Sequence, residues 1–308
     1  MQLFAELTES VGTKLGYVAE RAKRDKRAVF GNLIHHINEE SLKASFQQLR
    51  KECAVGVDGI SWEEYNGKLE ENIQGLMGRI KKMSYRPQAV RRVYIPKDNG
   101  EQRPIGIPAI EDKMVQKAMS RIMEAIYEQD FHEDSCGFRR GRGCHQALKK
   151  INDLFRAKPI NHVIEADIKG FFDNVEHGKL IEWLKIRITD DYFVRYVVRF
   201  LKSGYMEAEA FKKTERGTPQ GGNISPMLAN VFLHYVVDEW FEKEIKPRMK
   251  GHGYMVRYCD DCAPRERTGR LQSWKESETT QVMRAGPSKP TYRSRRQITL
   301  SCMDKESL

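Results

Sequence analysis

Two apolar segments far apart in the chain each run into acid, and this restricts the possible folds more than any other feature of the sequence. His162 to Ile168 reads as a short strand with Asp167 near its end, in the run Ala166-Asp167-Ile168-Lys169-Gly170-Phe171-Phe172-Asp173. Tyr254 to Cys259 reads as a second strand, and it runs into Asp260-Asp261. An acidic residue at the end of one strand is ordinarily a solvated turn residue. If the two strand ends meet, however, three oxygen ligands come together, and carboxylates so close repel unless cations neutralise them. Hard oxygen donors of this kind suit Mg²⁺. A pair of such ions activates an attacking hydroxyl and stabilises a leaving pyrophosphate in an in-line phosphoryl transfer.

Periodicity supplies the frame around these ends. Met114, Val115, Ala118, Met119, Ile122, Met123 and Ile126 recur at helical spacing and predict a buried helix. Leu42, Phe46 and Leu49 mark a shorter amphipathic helix, and Ser61 stands ahead of another whose apolar face is Leu69, Ile73, Leu76, Met77 and Ile80. From about His145 a further helix has Ala147, Leu148, Ile151, Leu154 and Phe155 inside, with Lys149, Lys150, Arg156 and Lys158 on its other face. Leu180 to Phe200 reads as two helices broken near Thr189-Asp190. Ser225-Pro226 is an N-cap followed by proline at the first helical position, which opens a long helix through Glu244.

Val90 to Ile95 and Ile105 to Ile107 predict a hairpin, because Asp98-Asn99-Gly100 between them tolerates the positive φ of a tight turn. Pro96, Pro104 and Pro108 restrict both strands to short edge segments. Arg91, Arg92, Lys97 and Arg103 make the hairpin a basic finger. A glycine-rich stretch follows later, Gly217-Thr218-Pro219-Gln220-Gly221-Gly222-Asn223-Ile224-Ser225-Pro226. Its glycines let the backbone approach a ligand closely, and the helix start behind it offers free N–H groups to a phosphate or sugar.

Charge narrows the partner. The 308 residues carry 53 Lys and Arg against 43 Asp and Glu, a formal charge of +10, which favours a polyanion such as nucleic acid. The first 35 residues are basic (Lys14, Arg21, Lys23, Arg24, Lys26, Arg27) and read as an extension or as a helix that tracks phosphate. No apolar stretch approaches the ~20 residues that span a bilayer, and Met1 to Phe30 has no signal-peptide core, so no membrane role is expected. Six cysteines without a dense framework point to a reducing compartment, the cytoplasm. Cys259 and Cys262 have Cys-x-x-Cys spacing but no second pair at zinc-site spacing, and His132, Cys136, Cys144 and His145 are irregularly placed, so a zinc site is not expected.

Five motifs in order carry a resemblance. They are Arg103-Pro104-Ile105-Gly106-Ile107-Pro108; Cys136-Gly137-Phe138-Arg139-Arg140-Gly141-Arg142-Gly143-Cys144-His145-Gln146-Ala147-Leu148; Glu165 to Asp173; Gly217 to Asn230; and Tyr258 to Asp261. Over roughly residues 35 to 261 the chain resembles the bacterial group II intron-encoded reverse transcriptase/maturase. The resemblance implies an α+β, right-hand polymerase fold with fingers and a partial palm, the thumb absent. It divides the chain into a basic N-terminal extension (1–35), mainly fingers (36–160), mainly palm with the catalytic motifs (161–261) and a tail (262–308), fingers and palm being interleaved.

Roles follow from the same resemblance. Asp167, Asp260 and Asp261 resemble the catalytic carboxylates, and with Ile168 they form the implied metal site for two Mg²⁺ ions, for which Mn²⁺ can substitute. Phe172 resembles the steric gate against a ribose 2′-OH. Gln220 resembles the element packed on the incoming deoxynucleotide, and Lys97 and Arg103 the cations on its triphosphate. Arg139, Arg140 and Arg142 are expected on template phosphate. The implied activity is RNA-directed DNA polymerisation, with an RNA template or intron RNA, a DNA primer or target, and dNTPs as partners. The alternative is an intron RNA-binding maturase that does not polymerise; a third reading is an inert remnant of a mobile element.

One departure from the family stands out. After Asp261 the chain continues Cys262-Ala263-Pro264-Arg265-Glu266-Arg267, where the family has an apolar strand completing the catalytic hairpin. Pro264 lacks a ladder donor and the charges do not alternate, so the second strand is expected to be missing and the tail disordered. A shifted reading frame or truncation is the expected cause of the abrupt change, the alternative being a natural disordered tail, and weak or absent polymerisation is the expected consequence.

Overall fold

The computed structural model describes residues 2–96, 100, 102–157, 162–164, 166–168, 170–218, 221–249, 253–266 and 282–284. Helices α1 (Gln2–Arg24), α2 (Glu39–Gln47), α3 (Trp62–Gly67) and α4 (Leu69–Lys81) precede strands β1 (Val90–Pro96) and β2 (Gln102–Ile107). Next come α5 (Ile110–Tyr127), β3 (Ser135–Cys136), α6 (Cys144–Ala157), β4 (His162–Ile164) and β5 (Ala166–Asp167). They are followed by α7 (Phe171–Asn174), α8 (His177–Leu184), α9 (Asp191–Leu201), β6 (Tyr205–Glu207), β7 (Ala210–Lys212) and α10 (Ser225–Leu233). Wide π turns at His234–Asp238 and Phe241–Ile245 continue that helix, and β8 (Gly253–Tyr258), β9 (Asp261–Glu266) and β10 (Val282–Arg284) follow. Two compact units result, Met1–Asp130 with Phe172–Val231, and Phe131–Phe171 with Phe232–Leu308.

In the first unit α5 buries all seven of its periodic apolar residues, as their spacing predicts, and α1 and α2 pack on it. An Asn38–Ser41 capping box starts α2. Ser61 caps α3, and a break at Lys68 makes two helices where the periodicity suggests one. The first 35 residues are helical over α1 and are held down beyond it. Ala22, Phe30 and Leu33 are buried, and Arg187, 2% exposed, donates to the carbonyls of Ala22, Asp25 and Lys26. Asp190 has two tasks: Oδ1 accepts from Tyr192 and Phe193 at the start of α9, and Oδ2 accepts from Leu33 and Ile34.

The hairpin forms with Arg92 opposite Gly106 and Tyr94 opposite Pro104. It belongs to a four-stranded sheet of order β2-β1-β6-β7, so of the two hairpin strands β2 is an edge and β1 is not. β1 is interior and pairs in parallel with β6, which corrects the expectation that both strands are edge segments. Pro104 sits on the true edge, where a missing N–H costs little.

The second unit is built on a sheet of order β10-β4-β9-β8-β3, with β5 also on β9. The expected gap after Asp261 is filled. β9 pairs with β8 from Tyr258↔Asp261 to Gly253↔Glu266, with Pro264 opposite Met255. On its other side β9 pairs β5 at 261–262 and β4 at 265–266 in one continuous register, with Glu165 between them outside the described residues. Helix α6 departs from expectation as well. Ala147, Ile151 and Leu154 face Cys136, Val256 and Tyr258, a narrow stripe, whereas Leu148 and Phe155 lie one residue round the helix and are about half exposed. Among the described residues no helix is long and apolar enough to cross a membrane.

Candidate active site

In the second unit the backbone joins the two acid-bearing segments. Asp167 on β5 stands opposite Asp261 on β9, and Asp261 also closes the β8–β9 turn opposite Tyr258. Partners in such a ladder have Cα atoms about 4.5–5.5 Å apart, so Asp167 is brought to the turn that carries Asp260. Ile168 follows directly. Asp260 is partly exposed and Asp261 exposed. Acidic oxygen donors on adjacent strand positions fit a hard divalent ion.

The turn is held from beneath. Cys259 adopts a positive φ of 57°, and its N–H donates to Cys136 O at 3.1 Å. Gly137, φ 84°, allows this approach: a Cβ there would lie 2.5 Å from Cys259 Sγ and 2.6 Å from its backbone nitrogen. Arg257, 0% exposed, donates to Cys259 O, to Ser135 Oγ and to both carboxylate oxygens of Asp238. Burial first, then the charge of Asp260, pushes the Cys259 thiol up to about 12, so it is not a thiolate at neutral pH. These supports escaped the sequence reading, although a lone arginine inside the apolar run Tyr254-Met255-Val256-Arg257-Tyr258 was a signal for a buried counter-ion.

The first unit contains a cleft of about 320 Å³ lined by Arg92, Phe172, Tyr205, Lys213, Arg216 and Thr218, among others. The glycine-rich segment forms one wall: Thr218 N–H donates to Phe172 O at 2.7 Å, Gly217 N–H to Val175 O at 2.8 Å, and Gly217 O lies 2.6 Å from His177 Nε2. Gly217, φ 85°, has no room for a Cβ, which would come within 2.6 Å of Phe172 O. Gly221, φ 104°, is pressed in the same way on Gly106 O and on Ile105 Cγ2. The close approach expected of these glycines is thus toward the protein's own backbone. Arg92 stacks on Tyr205 with its guanidinium 3.5 Å from the ring centre.

Strand alternation separates two expected partners. Arg92, Tyr94, Pro104 and Gly106 share one face of the hairpin, and Arg103, Ile105 and Val93 share the other. Phe172 lines the cleft on the Arg92 face, so Arg103 is not grouped with it there. Lys97 and Gln220 lie outside the described residues. Of the three arginines expected on template phosphate, Arg140 is exposed and Arg142 donates to Glu133 O at 2.6 Å. Arg139 corrects the expectation: it is 8% exposed, donates to the carbonyls of His132 and Ser135, and packs over Phe131. An irregular loop must satisfy its buried carbonyls somehow, and this side chain does so.

Comparison with known proteins places the chain in a family. Residues 95–264 match the family described as reverse transcriptase (RNA-dependent DNA polymerase). The chain is 38% identical over 219 residues to the group II intron-encoded protein LtrA of Lactococcus lactis subsp. cremoris, covering 70% of this chain and 36% of that protein. It is 39% identical over 183 residues to protein YkfC of Escherichia coli (strain K12), covering 58% and 48% respectively. The chain therefore spans less than half the length of these relatives. A chain of the solved partial Cas6-RT-Cas1–Cas2 complex aligns with 21% identity and a TM-score of 0.43, over 75% of this chain and 37% of that one.

Proposed function

From the premise that this chain belongs to the reverse transcriptase family, we propose that it is an RNA-directed DNA polymerase of the group II intron kind. The observation that carries the reading is the register of Asp167 against Asp261 beside Asp260. Asp167, Asp260 and Asp261, with Ile168 alongside, would hold two Mg²⁺ ions, or Mn²⁺ in their place. Bound there, such ions lower the pKa of a primer 3′-hydroxyl and stabilise the leaving pyrophosphate. The protein's own task is to hold their ligands still, and the Arg257–Asp238 pair and the Cys136–Cys259 hydrogen bond serve that end.

Phe172 is the gate in this reading. Its backbone is anchored to Thr218, so the ring has a fixed base from which to exclude a 2′-hydroxyl and favour dNTPs. Arg103 and Lys97 would grip the triphosphate, Gln220 would pack on the nucleotide, and Arg140 and Arg142 would meet the template RNA. The test is primer extension on an RNA template with a DNA primer and Mg²⁺. Incorporation above the no-enzyme background that vanishes in Asp260→Ala supports the proposal; persistence in that variant, or no incorporation by the parent chain with either ion, overturns it.

A second reading is carried by the charge of +10 and the likeness to an intron-encoded protein: a maturase that binds intron RNA without polymerising. A salt titration of RNA binding decides it. A shallow slope with no preference for structured RNA removes it.

A further inference from the structure

We propose that His132, His234 and Glu239, all in the second unit, form a binding site for one divalent transition-metal ion of the Zn²⁺ class. One ligand atom from each of the three lies within 4.8 Å of the other two. His132 Nε2 and Glu239 Oε1 are 3.1 Å apart. Ligands at the 2.0–2.1 Å bond lengths of tetrahedral zinc stand about 3.3 Å from one another, so one edge of the polyhedron is already formed. From the outer bound of 4.8 Å the third atom has to close by about 1.5 Å.

The local winding explains how residues 234 and 239 meet. At about 100° per residue, α-helical positions five apart point about 140° away from each other. His234 begins a π turn, His234–Asp238, whose wider winding returns the fifth residue to nearly the same face. Such turns are poorer in hydrogen-bond geometry and recur where a helix serves a site. His234 itself is 4% exposed, and its Nδ1 has no hydrogen-bond partner among the described residues. A buried polar nitrogen without a partner calls for a reason, and a ligand is one.

The remaining charges nearby permit a cation. Lys243 pairs with Glu239 but is 72% exposed and can turn to solvent, and Arg257 is neutralised by Asp238. Two imidazoles and one carboxylate favour Zn²⁺, Co²⁺ or Ni²⁺ over Mg²⁺, in contrast to the all-oxygen set of Asp167, Asp260 and Asp261. Three protein ligands leave a fourth position for water. The ion would fasten the segment before β3 to the helix that leads into β8, strands paired in parallel beneath the carboxylate turn. A search for closely spaced Cys and His finds nothing here because the ligands come from two distant segments.

The test uses the whole chain, stripped with chelator and titrated with Zn²⁺ or Co²⁺ in millimolar Mg²⁺. One equivalent bound, with the visible absorption of tetrahedral Co²⁺ and a higher melting temperature with Zn²⁺, is expected. His132→Asn and Glu239→Gln, both at partly exposed positions, should lose all three signals while melting cooperatively without metal; Cys259→Ser should retain them. No stoichiometric binding by the parent chain overturns the proposal. So does binding that survives in both ligand variants, which would assign the ion to the cysteines or to the carboxylate turn.

Discussion

Arg257 and Asp238 are joined by two parallel hydrogen bonds, Nε to Oδ1 and Nη2 to Oδ2, each 2.7 Å, with both side chains shut off from solvent. Arg257 also grips the carbonyl of Cys259, one residue before Asp260. The pair therefore converts a stability device into a positioning device for the proposed metal ligands. Removing one charge strands the other, which costs about 3–5 kcal/mol. Asp238→Ala should lower the urea midpoint by a corresponding amount. The double change Arg257→Met with Asp238→Leu should recover much of that stability without recovering primer extension.

Gly137→Ala places a methyl group on Cys259 and forces an L-residue to φ 84°. Strain of about 1–3 kcal/mol is expected, concentrated at the turn. Primer extension should fall by far more than the fraction of unfolded protein explains, as active-site titration against a circular-dichroism melt would reveal.

Asp112 gives a pH signature. It is 2% exposed, accepts from the Tyr85 hydroxyl and from Gln88 N–H at 2.9 Å, and burial raises its pKa to about 7. A folded-state pKa above the unfolded value means the native protein holds the extra proton. Its contribution, up to roughly 4 kcal/mol, is full below about pH 4 and is lost as pH rises through about 7. Asp112→Asn should flatten the stability–pH curve over that window relative to the parent chain. An unchanged difference curve would show that this carboxyl does not titrate there.

Phe172→Val removes the ring whose carbonyl is tied to Thr218. Ribonucleotide incorporation relative to deoxynucleotide should rise by roughly 10–200-fold in steady-state primer extension, the range that one steric contact supplies. A ratio that stays constant would leave Phe172 as a wall of the cleft and nothing more.

Arg139 and Arg140 are neighbours with opposite tasks. Arg139→Ala should destabilise the loop that it pins through the carbonyls of His132 and Ser135 and leave the salt slope of RNA binding alone. Arg140→Ala should shift that slope by about one phosphate contact.

What the chain's order of residues determined by itself is local. The seven apolar positions of α5, the break before α9 at Asp190 and the finger hairpin follow from 3.6-residue and two-residue periods and from capping and turn chemistry, which act over a few residues. The acid-terminated strands belong to this class too, and the family motifs made their meeting an expectation. Tertiary structure alone decided whom each group faces. Pro264 stands in a strand opposite Met255, Arg139 turns inward because carbonyls beside it need donors, and Gly217 and Gly221 are pressed on their own fold. Arg257 with Asp238, and His132 with His234 and Glu239, come from segments whose separation along the chain carries no local signal. Buried charges and lone pairs must find partners wherever packing brings them, and packing is a property of the whole unit rather than of any window of its sequence.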